Sequence, residues 1–139
     1  MSREVHETII KTILRFYPCA LAVYLFGTYG TPDETEGSDV DIAVLFSPRR
    51  SGEIGNLSLS ECRGSIEDVL GKTVDLVNIA IANTVLQNEI MREGRLIYCR
   101  DEYAVEVFEM QALSAYQKLN EERAGILEEI FESGRIVRQ

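Results

Sequence analysis

The sequence predicts an α/β (α+β) fold, a small mixed β-sheet flanked by helices, with a long helical C-terminal segment. Three observations carry that expectation. Short apolar runs bounded by glycine or proline alternate with stretches whose apolar residues recur every three or four positions. From Asp101 to Ser133 there is no proline and only one glycine, Gly125, which suits uninterrupted helix. With 139 residues, 45% of them hydrophobic, the chain is one domain with a core of its own. Within it, 1–100 is the sheet-bearing core and 101–139 a helical segment that packs on that core or on a partner.

The elements follow in order. Residues 3–16 place Val5, Ile9, Ile10, Ile13 and Phe16 at helical spacing, and Pro18 ends that helix. The apolar run 20–26 reads as a buried strand that stops at Gly27-Thr28. Gly30, Pro32 and Gly37 then mark a loop with at most a short helical turn. A second strand covers 40–46 and is broken by Ser47-Pro48-Arg49-Arg50-Ser51-Gly52. A helix over 57–70 turns Leu59, Cys62, Ile66, Val69 and Leu70 inward and ends at Gly71. Strand three is 73–79. Asn83 or Thr84 caps a helix carrying Val85, Leu86, Ile90 and Met91, closed by Gly94. A short strand covers 95–99.

In the tail, Tyr103, Val107, Met110, Leu113, Tyr116 and Leu119 fall three or four apart, followed by Ile126, Leu127, Ile130 and Phe131. This is one amphipathic helix, or two joined near 120–125. Tyr103 and Tyr116 read as packing residues. The opposite face is rich in glutamate and suits a basic protein partner as well as plain solvation.

Charge and cysteine usage exclude several function classes. A net charge of −9 argues against a broad electrostatic grip on nucleic acid, which needs clustered Lys and Arg. Cys19, Cys62 and Cys99 are far apart and odd in number, so neither a zinc site nor a disulfide framework is expected. Free thiols fit a reducing cytoplasm. The N-terminal stretch is charged and amphipathic rather than signal-like, and nothing approaches the ~20 apolar residues of a membrane span. A cytoplasmic protein without membrane contact is expected. The single histidine, His6, lies on the polar side of the first helix and reads as a surface residue.

The chemistry gathers at the strand ends. Gly27-Thr28 closes strand one, and ten residues later Asp39-Val40-Asp41 opens strand two. Residues two apart in a strand share a face, so Asp39 and Asp41 project side by side. Each carboxylate raises the pKa of the other unless a cation lies between them. Asp75 stands in the otherwise strand-like Thr73-Val74-Asp75-Leu76-Val77. If that strand lies beside strand two, three carboxylates face one cleft. Such a set suits Mg²⁺, and two ions held so would stabilise the attacking and leaving oxygens of an in-line phosphoryl displacement. The acid on the third strand is then placed to take the proton of an attacking hydroxyl.

Gly27 lets backbone approach a polyphosphate, and the Thr28 hydroxyl with neighbouring N–H groups bonds its oxygens. Ser38 is a further hydroxyl beside the acids, suited to a phosphate or simply to the turn. Taken singly, Gly-Thr is an ordinary strand-end turn and Asp-x-Asp a solvated strand start. Asp75 alone could cap a neighbouring loop. Together, on successive strands, they describe a metal-dependent phosphoryl-transfer site.

Gly27-Thr28, ten residues and Asp39-Val40-Asp41 resemble the Gly-Ser-x10-Asp-x-Asp signature of the DNA polymerase β-like nucleotidyltransferases. Val74-Asp75-Leu76-Val77 and the stretch from Glu89 to Tyr98 resemble the minimal members, MNT, found as antitoxins of HEPN–MNT toxin–antitoxin pairs. The likeness is detailed over 20–99. It implies the nucleotidyltransferase fold, Gly27 and Thr28 as the phosphate-binding turn, and Asp39, Asp41 and Asp75 as metal ligands and catalytic acids. It further implies ATP as substrate and AMP transfer to a hydroxyl, thought to be a tyrosine, of a HEPN RNase toxin.

The chain departs from the pattern twice. Thr28 replaces Ser, and Tyr29 and Gly30 stand where many members carry an Arg-rich turn. Arg49, Arg50, Lys72, Arg92 and Arg95 are the candidates to replace that missing charge, or are ordinary surface charges. Two other functions fit the same residues: transfer to a small molecule such as an aminoglycoside, or neutralisation by masking without catalysis. Only some 40 residues follow the last strand, which favours an acceptor supplied by a protein partner.

Overall fold

The computed structural model describes residues 3–29, 31–35 and 37–133. Four strands form one sheet in the order β3-β2-β1-β4, with β1 at Ala22–Phe26, β2 at Val40–Leu45, β3 at Val74–Asn78 and β4 at Arg95–Cys99. β1 runs antiparallel to β2 and to β4, whereas β2 and β3 are parallel. A parallel pair requires a crossover, which α2 (Pro48–Ile54) and α3 (Glu61–Leu70) provide. Helix α1 (Arg3–Phe16) precedes the sheet, α4 (Thr84–Glu93) joins β3 to β4 after a single turn at Ile79–Ile81, and α5 (Glu102–Ser133) follows β4.

Strand alternation divides the core in two. Val23, Leu25, Val40, Ile42 and Val44 face Ile9 and Ile13 of α1 and Cys62 and Ile66 of α3. Ala22, Tyr24, Phe26, Ala43 and Leu45 face Ile90 of α4 and Val105 of α5. Both faces of β1 and β2 are therefore covered, which is why β1, and β2 beyond Asp41, read as continuous apolar runs. On the second face Tyr24 Oη donates to Glu109 Oε2 at 2.9 Å and ties α5 to the sheet.

Several expectations are corrected. Helix α3 begins at Glu61 rather than near 57, because Ser60 Oγ accepts the N–H of Arg63 at 3.2 Å and acts as the N-cap. Leu59 is left outside that helix and is 92% exposed; Val69 and Val85 also point outward. Helix α5 is continuous across Gly125. Its inward side is Val105, Phe108 and Ala112 rather than the stripe led by Tyr103. Tyr103 and Met110 are 76% and 69% exposed, and Leu113 is exposed too, so Tyr103 is not a packing residue. Tyr116 is half-buried. The side chains of Leu127, Ile130 and Phe131 lie outside the described residues.

The segment expected only to break strand two is itself a helix. Ser47 caps α2 through the N–H of Arg50 at 3.4 Å, and Pro48 occupies its first turn, where a missing N–H costs nothing. Buried Asn78 at the end of β3 secures this helix, its Nδ2 donating to Ser51 O at 3.1 Å and Gly55 O at 3.0 Å. Asn78→Ala strands both carbonyls and is expected to cost about 2–3 kcal/mol, read as a lower urea midpoint with an unchanged slope.

Candidate active site

The sheet brings the three aspartates to one end. Phe26 pairs with Asp41 across β1 and β2, and Asp41 pairs with Asp75 across β2 and β3. Asp41 and Asp75 therefore lie side by side on the sheet face that α4 covers further along. Asp39 stands immediately before β2. Asp39 and Asp75 are exposed, whereas Asp41 is half-buried.

Gly27 sits directly beneath the Asp41 carboxyl. Its φ is 72°, a left-handed conformation that L side chains rarely adopt. A Cβ at this position would lie 2.1 Å from Asp41 Oδ2. The turn and the carboxylate occupy one place.

The ten-residue spacer folds back on itself. Thr28 Oγ1 donates to Ser38 Oγ at 3.2 Å, and Ser38 Oγ also accepts the N–H of Thr35 at 2.8 Å. These bonds set the turn hydroxyl against the residue preceding Asp39. Thr28 is exposed and open to a ligand. All the site residues expected from the sequence are thus assembled at one mouth: Gly27, Thr28, Ser38, Asp39, Asp41 and Asp75.

The electrostatics of that mouth favour a cation. Asp41 has its pKa pushed up from 3.8 to about 6, first by burial and then by the charges of Asp75, Asp39 and Glu89. Four carboxylates crowding one another are relieved by a divalent ion with oxygen ligands. Among the described residues no three carboxylate, histidine or cysteine side chains are grouped tightly enough to ligate an ion. Asp39, Asp41 and Asp75, the ligands expected from the sequence, lie near one another without forming such a group. Glu89 was missed in the sequence because it belongs to α4 and meets the site only across the sheet face.

The candidate basic residues separate by position. Arg49 and Arg50 each lie 3.4 Å from Glu53 in α2, beyond the opposite end of β2. Arg92 lies 3.4 Å from Glu93. Only Lys72 and Arg95 reach the turn, both through Tyr29. At the far end of the sheet, α2 and α5 enclose an apolar hollow of about 690 Å³ lined by Leu45, Phe46, Ala104 and Phe108. It holds none of the paired acids. Cys62, buried against α1, has its thiol pushed up to about 11 by burial and is a core residue.

A glycine turn beside strand-borne carboxylates at the open end of a mixed sheet is the arrangement of a nucleotide-dependent transferase. Residues 8–103 match the family model described as polymerase beta, nucleotidyltransferase, and the chain belongs to that family. It is 30% identical over 123 residues to the protein adenylyltransferase MntA of Shewanella oneidensis, covering 88% of this chain and 85% of that protein. A solved toxin–antitoxin structure with AMP-PNP contains a chain matching at a TM-score of 0.75 and 29% identity, over 91% of this chain and 98% of its own. A second, with a tri-AMPylated Shewanella oneidensis HEPN toxin bound to its MNT antitoxin, matches at a TM-score of 0.72 and 28% identity, over 94% of this chain and 99% of its own. No helix among the described residues is long and apolar enough to cross a membrane.

Proposed function

We propose that this chain is a cytoplasmic antitoxin that transfers AMP from ATP to a hydroxyl, a tyrosine in the first instance, of a cognate HEPN RNase toxin and so silences it. The observation that carries this reading is the contact of the Gly27 turn with Asp41, which is register-paired with Asp75. The turn takes up the triphosphate through backbone N–H groups and the Thr28 hydroxyl, whose proton, given to Ser38 Oγ in the free chain, turns to a phosphate oxygen when nucleotide binds. Asp39, Asp41 and Asp75 would hold Mg²⁺, as one or two ions; when bound, it neutralises triphosphate charge and polarises the α-phosphate. The acceptor oxygen attacks the α-phosphorus in line, the bond to pyrophosphate breaks, and Asp75 accepts the hydroxyl proton. Positioning and charge neutralisation supply most of the rate.

The open apolar stripe of Tyr103, Met110 and Leu113 on α5 supports a protein partner, because contiguous exposed apolar surface marks interaction sites. The same stripe favours a second reading, in which binding alone masks the toxin. Incubation with HEPN toxin, Mg²⁺ and α-labelled ATP separates the two. Label moves to the toxin with the wild-type chain and not with Asp39→Asn/Asp41→Asn. Equal neutralisation by that double variant, with no label transferred, would establish masking instead.

A further inference from the structure

We propose that the Arg63–Glu67 pair of α3 positions Asp75 by holding the backbone of the residue before it. This rests on reading Asp75 as the acid that takes the acceptor's proton. β3 is an outer strand of the sheet, so one of its edges faces no strand among the described residues. Val40 N donates to Thr73 O at 2.9 Å, and Val40 pairs with Val74. In a parallel pair this turns the N–H and C=O of Val74 away from β2. Both are met by side chains of α3. Val74 N donates to Glu67 Oε2 at 2.8 Å, and Arg63 Nε donates to Val74 O at 2.8 Å. The two side chains are themselves joined, Arg63 Nη2 lying 3.1 Å from Glu67 Oε2.

Together they offer Val74 what a further strand would offer, one acceptor and one donor. Protecting an edge from other chains does not require this, since exposed charges alone discourage pairing. Arg63 and Glu67 instead keep only 29% and 26% side-chain exposure, unlike the open pairs of Arg49, Arg50 and Arg92, and direct their polar atoms at one residue. That residue precedes Asp75. A peptide unit is planar, so holding the Val74 carbonyl also orients the Asp75 N–H of the same unit. Holding the Val74 N–H fixes the unit before it. Val74 is buried in the core beneath α1 and α3, and strand alternation sends Asp75 to the opposite face, beside Asp41. The clamp therefore acts on the carboxylate through the backbone. Its own base is fixed at both ends of α3, where Ser60 Oγ accepts the Arg63 N–H at 3.2 Å and Gly71 N donates to Glu67 O at 2.8 Å.

The transfer assay with HEPN toxin, Mg²⁺ and α-labelled ATP tests this, run at a temperature where circular dichroism shows each variant folded. Glu67→Ala is expected to lower kcat about thirtyfold or more, since an ångström of displacement at a reacting group costs about a hundredfold. KM for ATP, and affinity for AMP-PNP by calorimetry, stay within about twofold, because the clamp does not reach the Gly27 turn. Glu67→Gln keeps an acceptor for the Val74 N–H and stays within about threefold of the wild-type kcat. Should Glu67→Ala fail to fold, Arg63→Met takes its place with the same expected split; it removes the donor to Val74 O and keeps the apolar stem. A brace serving stability alone would lower the melting temperature and leave kcat of the folded chain unchanged, and that result overturns the inference by itself. Equal losses with Ala and Gln, or AMP-PNP binding that weakens along with kcat, do the same. Asp75→Asn at the wild-type kcat overturns the proton-acceptor reading and this inference with it.

Discussion

Asp41→Asn is expected to reduce AMP transfer by about a thousandfold or more while raising the melting temperature of the metal-free protein. The loss of activity follows from removing a charge beside both the turn and Asp75. The gain in stability follows from the linkage between protonation and folding. Folding pushes the Asp41 pKa from 3.8 to about 6, so between those values the folded chain retains a proton that the unfolded chain has released. Stability contributed by the protonated form is complete below about pH 4 and is lost as pH rises through 6. Above 6 the folded protein carries an ionised carboxylate that its surroundings disfavour.

Taken at face value such a shift is worth about 3 kcal/mol, but the group is half open to water. Screening reduces this to about 1 kcal/mol, or roughly 3 °C in a domain of this size. The rise in melting temperature should therefore appear at pH 7.5 in EDTA and vanish near pH 4. A variant that melts lower than wild type at both values would show that Asp41 stabilises the fold, contrary to its placement among like charges.

Gly27→Ala is the second large effect. A methyl group here meets Asp41 Oδ2 at 2.1 Å, closer than any real contact, and the residue must hold φ at 72°. The left-handed strain costs about 1–2 kcal/mol of stability. The clash itself is relieved cheaply by swinging the Asp41 carboxyl aside, so its main consequence is catalytic. Displacing a reacting group by an ångström costs about a hundredfold in rate, and that is the expected fall in kcat/KM. Adding Gly27→Ala to Asp41→Asn should produce little further loss, since both act on one carboxylate. Activity within threefold of wild type in the single variant would mean that the turn and the acid do not work as a unit.

Much of the site was legible because its signals are local. Strand periodicity put Asp39 and Asp41 on one face, and a glycine at the strand end marked the turn. The ten-residue spacer gave no hint of the Thr28–Ser38 hydrogen bond that folds it. Helix α2 was hidden by composition: Ser47, Pro48 and Gly52 suggest a loop, although Ser followed by Pro is also a helix start. Leu59, Val69 and the Tyr103 stripe were assigned inward by periodicity. Periodicity identifies a helical face but not whether the domain has surface to cover it.

Local sequence encodes the strands, most of the helices and the glycine turn, and it singles out three carboxylates as candidates, because each signal depends on residues within a few positions of one another. The tertiary structure alone decided which strands are neighbours. The β2–β3 pairing set Asp75 beside Asp41, the sheet face admitted Glu89 to their field, and the β1–β4 pairing carried Arg95 to Tyr29. Such relations depend on long-range register, and no local pattern encodes it. That is why five basic residues were equal candidates in the sequence, while only the fold shows that Arg95 and Lys72 are the two that contact Tyr29.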